Sequence, residues 1–176
     1  LSYLVVDDVT QCCAVIDPVL DFDPASGEVN THSADAILKT IQSRALTLAW
    51  VLETHVHADH LTAAQYLRDA TGAPVAIGEG IRKVRTLFDR VLNTPKNGLS
   101  VDVFFDRLLA DGDVIAVGNL ILSVLSTPGH TPACVSYYCD GAVFVGDTLL
   151  RPDYGTARTD FPGGDAGVLF DSIGRL

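Results

Sequence analysis

The chain has 176 residues, 48% of them hydrophobic and 19% charged, with a mean hydropathy of +0.28, enough apolar material for about one packed domain and too much for a disordered tail. Its 12 Lys and Arg against 22 Asp and Glu give a net charge of −10, and no basic run concentrates positive potential, which excludes nucleic acid as an expected partner. The longest apolar stretches, Leu120 to Leu125 and Ala142 to Val145, stop far short of the roughly 18 residues a membrane span needs, so no membrane partner is expected.

From the N-terminus, Tyr3 to Val6 and Cys13 to Ile16 flank the polar turn Asp7-Asp8-Val9-Thr10-Gln11 and predict a hairpin closed by Asp17-Pro18. Asp23-Pro24-Ala25-Ser26-Gly27 is a loop by its turn-forming residues, and Ser33 is placed to cap a helix carrying Ala36, Ile37, Ile41 and Ala45 at helical spacing. Leu48 to Thr54 is an apolar strand ending in polar residues. Asp59 to Ala70 predicts a helix with Leu61, Ala64 and Leu67 on one face, stopped at Thr71-Gly72-Ala73-Pro74. Val75 to Ile77 is a strand, and Ile81 to Leu92 an amphipathic helix with Val84, Leu87, Phe88 and Val91 inward. From Val101 onward short strands dominate: Val101 to Phe105, Val114 to Val117, Leu120 to Ser126, Val135 to Cys139 and Val143 to Val145. Turns at Asp111-Gly112-Asp113, Gly118-Asn119 and Asp140-Gly141 predict that neighbours pair antiparallel. Asp165 to Leu176 can begin a helix. Hairpin-rich sheet together with helices that each carry one apolar face predicts an α/β chain, two packed sheets with helices outside them, in a four-layer αββα sandwich.

Chemistry concentrates in Thr54-His55-Val56-His57-Ala58-Asp59-His60, where three of the five histidines and a carboxylate follow a strand end. Ligand-bearing loops of α/β proteins sit at the carboxyl ends of strands, and imidazole and carboxylate are the standard ligands of zinc and iron. His55 and His57, two apart in an extended loop, can project to one side. A fourth histidine stands in Thr127-Pro128-Gly129-His130-Thr131-Pro132, again after an apolar strand, with Pro and Gly shaping the turn. Asp147 closes a third strand in Val145-Gly146-Asp147-Thr148, where glycine allows close backbone approach. The other polar candidates are weaker. His32 reads as a surface residue and Gly78-Glu79-Gly80 as a turn without a phosphate-binding pattern. Four cysteines, two of them adjacent at Cys12 and Cys13, do not form a disulfide framework, which fits a reducing, cytoplasmic compartment. Cys134 reads as a small buried residue, with oxidation near the site as the alternative.

This constellation, in this order, resembles the metallo-beta-lactamase superfamily, and Gly146-Asp147-Thr148-Leu149 with Ala157-Arg158-Thr159-Asp160-Phe161 resembles in particular the persulfide dioxygenases and their bacterial beta-lactamase-like hydrolase relatives, a branch similar to glyoxalase II. The dioxygenase resemblance implies one Fe(II) per chain held by His55, His130 and Asp147, with His57, Asp59 and His60 as catalytic neighbours that hydrogen-bond ligands and bound oxygen or water. The resemblance to the zinc hydrolases implies instead Zn(II) on His55, His57 and His130, a second metal on Asp59 and His60, and Asp147 bridging. Arg158 is placed by the resemblance near substrate, where it either pairs with a glutathione carboxylate or fixes its loop through Asp160. Tyr154 either lines the same pocket or merely closes an Asp-Tyr-Gly turn; Arg151 to Gly155 is an insertion relative to the better-known dioxygenases.

The expected reaction is oxidation of glutathione persulfide or a similar low-molecular-weight persulfide to sulfite and thiol, with a thiol persulfide and dioxygen as small-molecule partners and a homodimer left open. The alternative is a glyoxalase II type hydrolase cleaving a glutathione thioester, and a further one a non-catalytic domain of the same fold. Residues 1 to 176 read as a single domain that lacks the C-terminal strand and helix family members carry, and a start at Leu1 in a chain without Met implies residues upstream.

Overall fold

The computed structural model describes residues 1–94 and 100–176. Its first half runs β1 (Tyr3–Asp7), β2 (Cys12–Ile16), β3 (Val19–Asp23), β4 (Glu28–Asn30), α1 (His32–Ser43), β5 (Thr47–Leu52), β6 (Leu61–Thr62), α2 (Ala64–Thr71), β7 (Val75–Gly78) and α3 (Ile81–Val91). A 3-10 turn (Val101–Val103) leads into β8 (Arg107–Leu109), β9 (Val114–Val117), β10 (Leu120–Ser126), β11 (Val135–Cys139), β12 (Ala142–Phe144) and α4 (Ala166–Ile173). One sheet has the order β1-β2-β5-β7-β8 and the other β12-β11-β10-β9, with β4-β3-β6 as a small third sheet. In the first sheet β1 is antiparallel to β2, while β2, β5, β7 and β8 run parallel. The second sheet is antiparallel throughout.

Strand alternation divides the core. Cys13, Val15, Leu48, Val51 and Val75 face away from the second sheet and bury Ala34 and Ile41 of α1 and Ala64 and Leu67 of α2. Ala14, Ile16, Leu52 and Ala76 point the other way, into the space shared with Ile115, Val117, Leu122, Val124, Val135 and Tyr137. The metallo-beta-lactamase fold expected from the sequence is the fold observed, with parallel strands covered by helices as such strands require. On the outer face of the second sheet Val114, Ile121 and Tyr138 are exposed, and α4 lies at one end, its Leu169 buried and its Ser172 hydroxyl donating to the Pro128 carbonyl at 2.6 Å.

The predicted β1–β2 hairpin forms with Tyr3 opposite Ile16, and the Gly118-Asn119 and Asp140-Gly141 turns join antiparallel neighbours. Four expectations need correction. Val101 to Phe105 is not a strand: Ser100 accepts from the Asp102 amide and closes a 3-10 turn, and the strand is Arg107–Leu109, parallel to β7 in the first sheet. Consequently Asp111-Gly112-Asp113 joins two sheets instead of a hairpin. The second helix does not start at Asp59 but at Ala64, because Leu61 and Thr62 pair with Leu20 and Val19 and Leu61 is exposed. Ser33 does not cap α1; it lies inside the first turn, and its amide and hydroxyl both donate to Asp21 of β3, at 2.8 and 2.6 Å. Val91, expected inward, is exposed at the end of α3.

Candidate metal centre

Four loops meet at one edge of the paired sheets, each leaving the carboxyl end of a strand: Asp17 after β2, Glu53 to His60 after β5, Thr127 to His130 after β10, and Asp147 just past β12. Backbone pairing sets their positions. The Asp17 amide donates to the Leu52 carbonyl and the Val135 amide to the Thr54 carbonyl, both at 2.9 Å, tying the loop after β5 to both sheets. Gly146, at φ +53°, lies so close that a Cβ there would collide with the Thr54 side chain, which explains a glycine one residue before Asp147.

Two of the histidines are held in a single tautomer. The Thr54 hydroxyl donates to Asp17 Oδ2 at 2.7 Å, so its oxygen is left to accept from His55 Nδ1 at 2.9 Å. His130 Nδ1 lies 2.7 Å from the Arg158 carbonyl, which can only accept. Both rings therefore carry their proton on Nδ1 and present the Nε2 lone pair, the form a metal requires. Those two Nε2 atoms stand 3.7 and 3.6 Å from Asp147 Oδ2. His55 and His130 are buried, while Asp147, at 38% side-chain exposure, opens to solvent on one side. Burial, followed by the neighbouring His57, pushes His55 down to about 3, so it stays neutral and available as a ligand.

His57 is held differently. Its Nε2 lies 3.2 Å from Glu53 Oε2 and 3.3 Å from Asp17 Oδ1, leaving Nδ1 as the nitrogen free of those carboxylates. Burial disfavours its charge, but hydrogen bonds to Asp17 and Glu53, with their charges, outweigh it and raise the ring to about 10. Burial likewise pushes Glu53 up to about 7, and its other oxygen accepts from the Thr62 hydroxyl. For Asp17, burial acts upward but the bond from His57 and the two from Thr54 win, so its carboxyl is held below the usual range. His60 stacks on His57 with ring centroids 4.2 Å apart, and Asp59 completes that exposed side.

Among the described residues two adjacent donor sets stand beside the Asp17, Glu53 and His57 group. His55, His130 and Asp147 offer ligand atoms within 4.8 Å of one another, and so do His57, Asp59 and His60. The donor chemistry of the first, two neutral imidazole nitrogens and a carboxylate oxygen, fits a three-ligand Fe(II) or Zn(II) site, and the second fits the neighbouring position of a dinuclear one.

The two substrate-side candidates part company. Arg158 grips Asp160 through two bonds of 2.5 and 2.6 Å, lies over the Phe161 ring at 4.9 Å, and lends its carbonyl to His130. Tyr154 instead lines a polar groove of about 510 Å³ with Asp59, His60, Asp147 and Arg151. Arg158 does not line that groove, so the two do not share a pocket. Sequence reading missed Thr54, Asp17, Glu53 and Arg151. A carboxylate directly after an apolar strand, as at Asp17 and Glu53, is the signal that marks the first group; nothing local distinguishes Arg151.

The model of the metallo-beta-lactamase superfamily matches residues 1–174. The chain is 46% identical to a probable metallo-hydrolase of Burkholderia pseudomallei, over 100% of this chain and 63% of that one, and 49% identical to a beta-lactamase hydrolase-like protein of Xylella fastidiosa, over 98% of this chain and 40% of that one. It thus spans 40 to 63% of the length of these relatives. The crystal structure of ETHE1 from Myxococcus xanthus superposes with a TM-score of 0.75 at 36% identity, covering 99% of this chain and 63% of that one. More distant relatives, each 29% identical and 56% covered, are the human mitochondrial persulfide dioxygenase ETHE1, over 98% of this chain, and the hydroxyacylglutathione hydrolase of Rhodospirillum rubrum, over 99% of it. Family match, fold and the histidines gathered at the strand ends lead to one assignment: the chain belongs to the metallo-beta-lactamase superfamily.

Proposed function

We propose that this chain carries the catalytic domain of a mononuclear non-haem iron sulfur dioxygenase, which converts a low-molecular-weight organic persulfide, with glutathione persulfide as the reference case, to thiol and sulfite. The observation that carries this reading is the self-sufficient donor set of His55, His130 and Asp147, with His57 drawn aside onto Asp17 and Glu53. Similarity to ETHE1 proteins supports it. The balance is RSSH + O2 + H2O → RSH + H2SO3: the S–S bond breaks, the terminal sulfur is oxidised by four electrons, and dioxygen is reduced by the same four.

His55, His130 and Asp147 would hold the iron, which would supply redox activity toward dioxygen that zinc lacks. The chain's own residues perform the rest. Thr54 and the Arg158 carbonyl hold the two rings in the tautomer that binds metal. Glu53 and Asp17 hold a proton on His57 Nε2, and His57 borders both the polar groove and an apolar cavity. The second reading, a zinc hydrolase of thioesters, is favoured by the second donor set of His57, Asp59 and His60 and by similarity to a hydroxyacylglutathione hydrolase.

The discriminating experiment measures oxygen consumption by anaerobically iron-loaded protein given glutathione persulfide, beside zinc-loaded protein given S-lactoylglutathione. Zinc outcompetes Fe(II) at most nitrogen and oxygen sites, so metal content is the weaker readout. Uptake that needs both iron and persulfide is expected. Absence of uptake together with thioester cleavage by the zinc form overturns the dioxygenase in favour of the hydrolase.

A further inference from the structure

A cavity of about 430 Å³ borders His57 and His130 and shares only His57 with the groove lined by Arg151 and Tyr154. Its walls are Val84 and Phe88 of α3, Phe104 and Phe105 after the 3-10 turn, and Phe161 from the loop that follows Arg158. His57, His130, Thr62, Gln65, Arg85 and Thr131 are the polar residues among these apolar walls, the composition expected of a pocket that buries a small organic molecule and fixes one end of it. Dioxygen alone needs a small fraction of that space. The groove lined by Arg151 and Tyr154 is the more polar of the two, with Asp17, Asp59 and Asp147 among its walls, so the apolar surface beside the imidazoles belongs to the cavity.

We infer that the cavity is a substrate subsite for the apolar part of the molecule, so that the preferred substrate is a persulfide whose thiol bears an alkyl or aryl group of several carbons, tail among the phenylalanines and sulfur toward the donor sets that His57 and His130 belong to. This rests on the persulfide reading above and narrows it. Burying a chain in such a cavity strengthens binding with every methylene removed from water until the space is filled, by about fourfold each.

The test separates the two levels. Calorimetric titration of zinc-loaded protein with n-alkyl sulfonates from butyl to decyl reads the cavity without turnover. The dissociation constant is expected to fall about fourfold per methylene and then level off. Val84→Phe fills the cavity and is expected to bring the plateau to shorter chains. Phe104→Asp places a charge at a position already 46% exposed, where folding is tolerant, and is expected to flatten the series. A dissociation constant that ignores chain length, or a series identical in wild type and both variants, overturns the subsite. Oxygen uptake by the iron form with octyl, butyl and glutathione persulfides then reads the reaction. Uptake favouring octyl supports the inference, and uptake with no preference for it over glutathione persulfide overturns it. A chain-length series that stands while no persulfide draws oxygen keeps the apolar subsite and removes the dioxygenase instead.

Discussion

Thr54→Val removes one oxygen and keeps the side chain's shape, and the geometry makes its cost large. That hydroxyl donates to Asp17 Oδ2 at 2.7 Å and accepts from His55 Nδ1 at 2.9 Å in a fully buried position. A hydrogen bond to a charged group contributes about 1.5–3 kcal/mol and a neutral one about 1 kcal/mol. Asp17 keeps the bond from the Thr54 amide, at 2.7 Å, which tempers the loss, so the net effect is about 2–4 kcal/mol, or a fall in Tm of roughly 5–15 °C for a chain of this size. His55, no longer held as the Nδ1–H tautomer, presents its Nε2 lone pair for only part of the time. Loss of such an orienting partner lowers metal affinity about 10–100-fold. Urea unfolding of chelator-treated protein reads the first effect, and competition with a chelator of known zinc affinity reads the second. Thr54→Ser is expected to recover most of both. Valine with stability within about 0.5 kcal/mol of wild type and unchanged zinc affinity would refute the argument that this hydroxyl sets the histidine's tautomer.

Asp147→Asn replaces the carboxylate between the two Nε2 atoms and is expected to lower metal affinity by about a hundredfold or more, beyond what loss of an outer partner costs; retention of full metal content after dialysis would remove Asp147 from the ligand set. His57→Ala should keep most of the metal if iron sits on the three-residue set, whereas loss of the metal would move the protein to the dinuclear arrangement; metal analysis after gel filtration decides. Burial pushes the thiols of Cys134 and Cys13 up to about 11 and raises that of Cys139, so at pH 8 these stay protonated and unreactive, and a thiol reagent should modify partly exposed Cys12 in the folded protein and all four cysteines after denaturation. Mass spectrometry of peptides locates the label, and rapid modification of Cys134 in the native state would contradict the packing around it. Gly129→Ala is expected to cost about 2 kcal/mol or more, because φ is +139° and a Cβ would collide with the Leu169 backbone of α4; thermal unfolding of the variant with an unchanged midpoint would show that α4 is not anchored there.

The sequence alone reached the superfamily, the layered architecture and the residues with metal-binding chemistry, because those depend on local signals. Alternating apolar strands, glycine turns at Gly118 and Gly141, and His55-Val56-His57-Ala58-Asp59-His60 directly after a strand can each be read without knowing what lies across the fold. Two of the failures are cases where a distant partner overrides a local preference. Ser33 looks like a cap, yet Asp21 from β3 bonds its amide. Leu61 fits a helical stripe, yet pairing with β3 holds it extended. Arg158 carries two readings in the sequence, and the structure bonds its Nε and Nη2 to Asp160 while its carbonyl serves His130. Tertiary structure alone decided which nitrogens face a metal, since the tautomers of His55 and His130 follow from Thr54 and the Arg158 carbonyl. It also decided that His57 is flanked by Asp17 and Glu53, 40 and 4 residues away in the chain. Residue type sets what chemistry a side chain can perform; the partners that burial forces upon it set its proton, its orientation and therefore its part in the site.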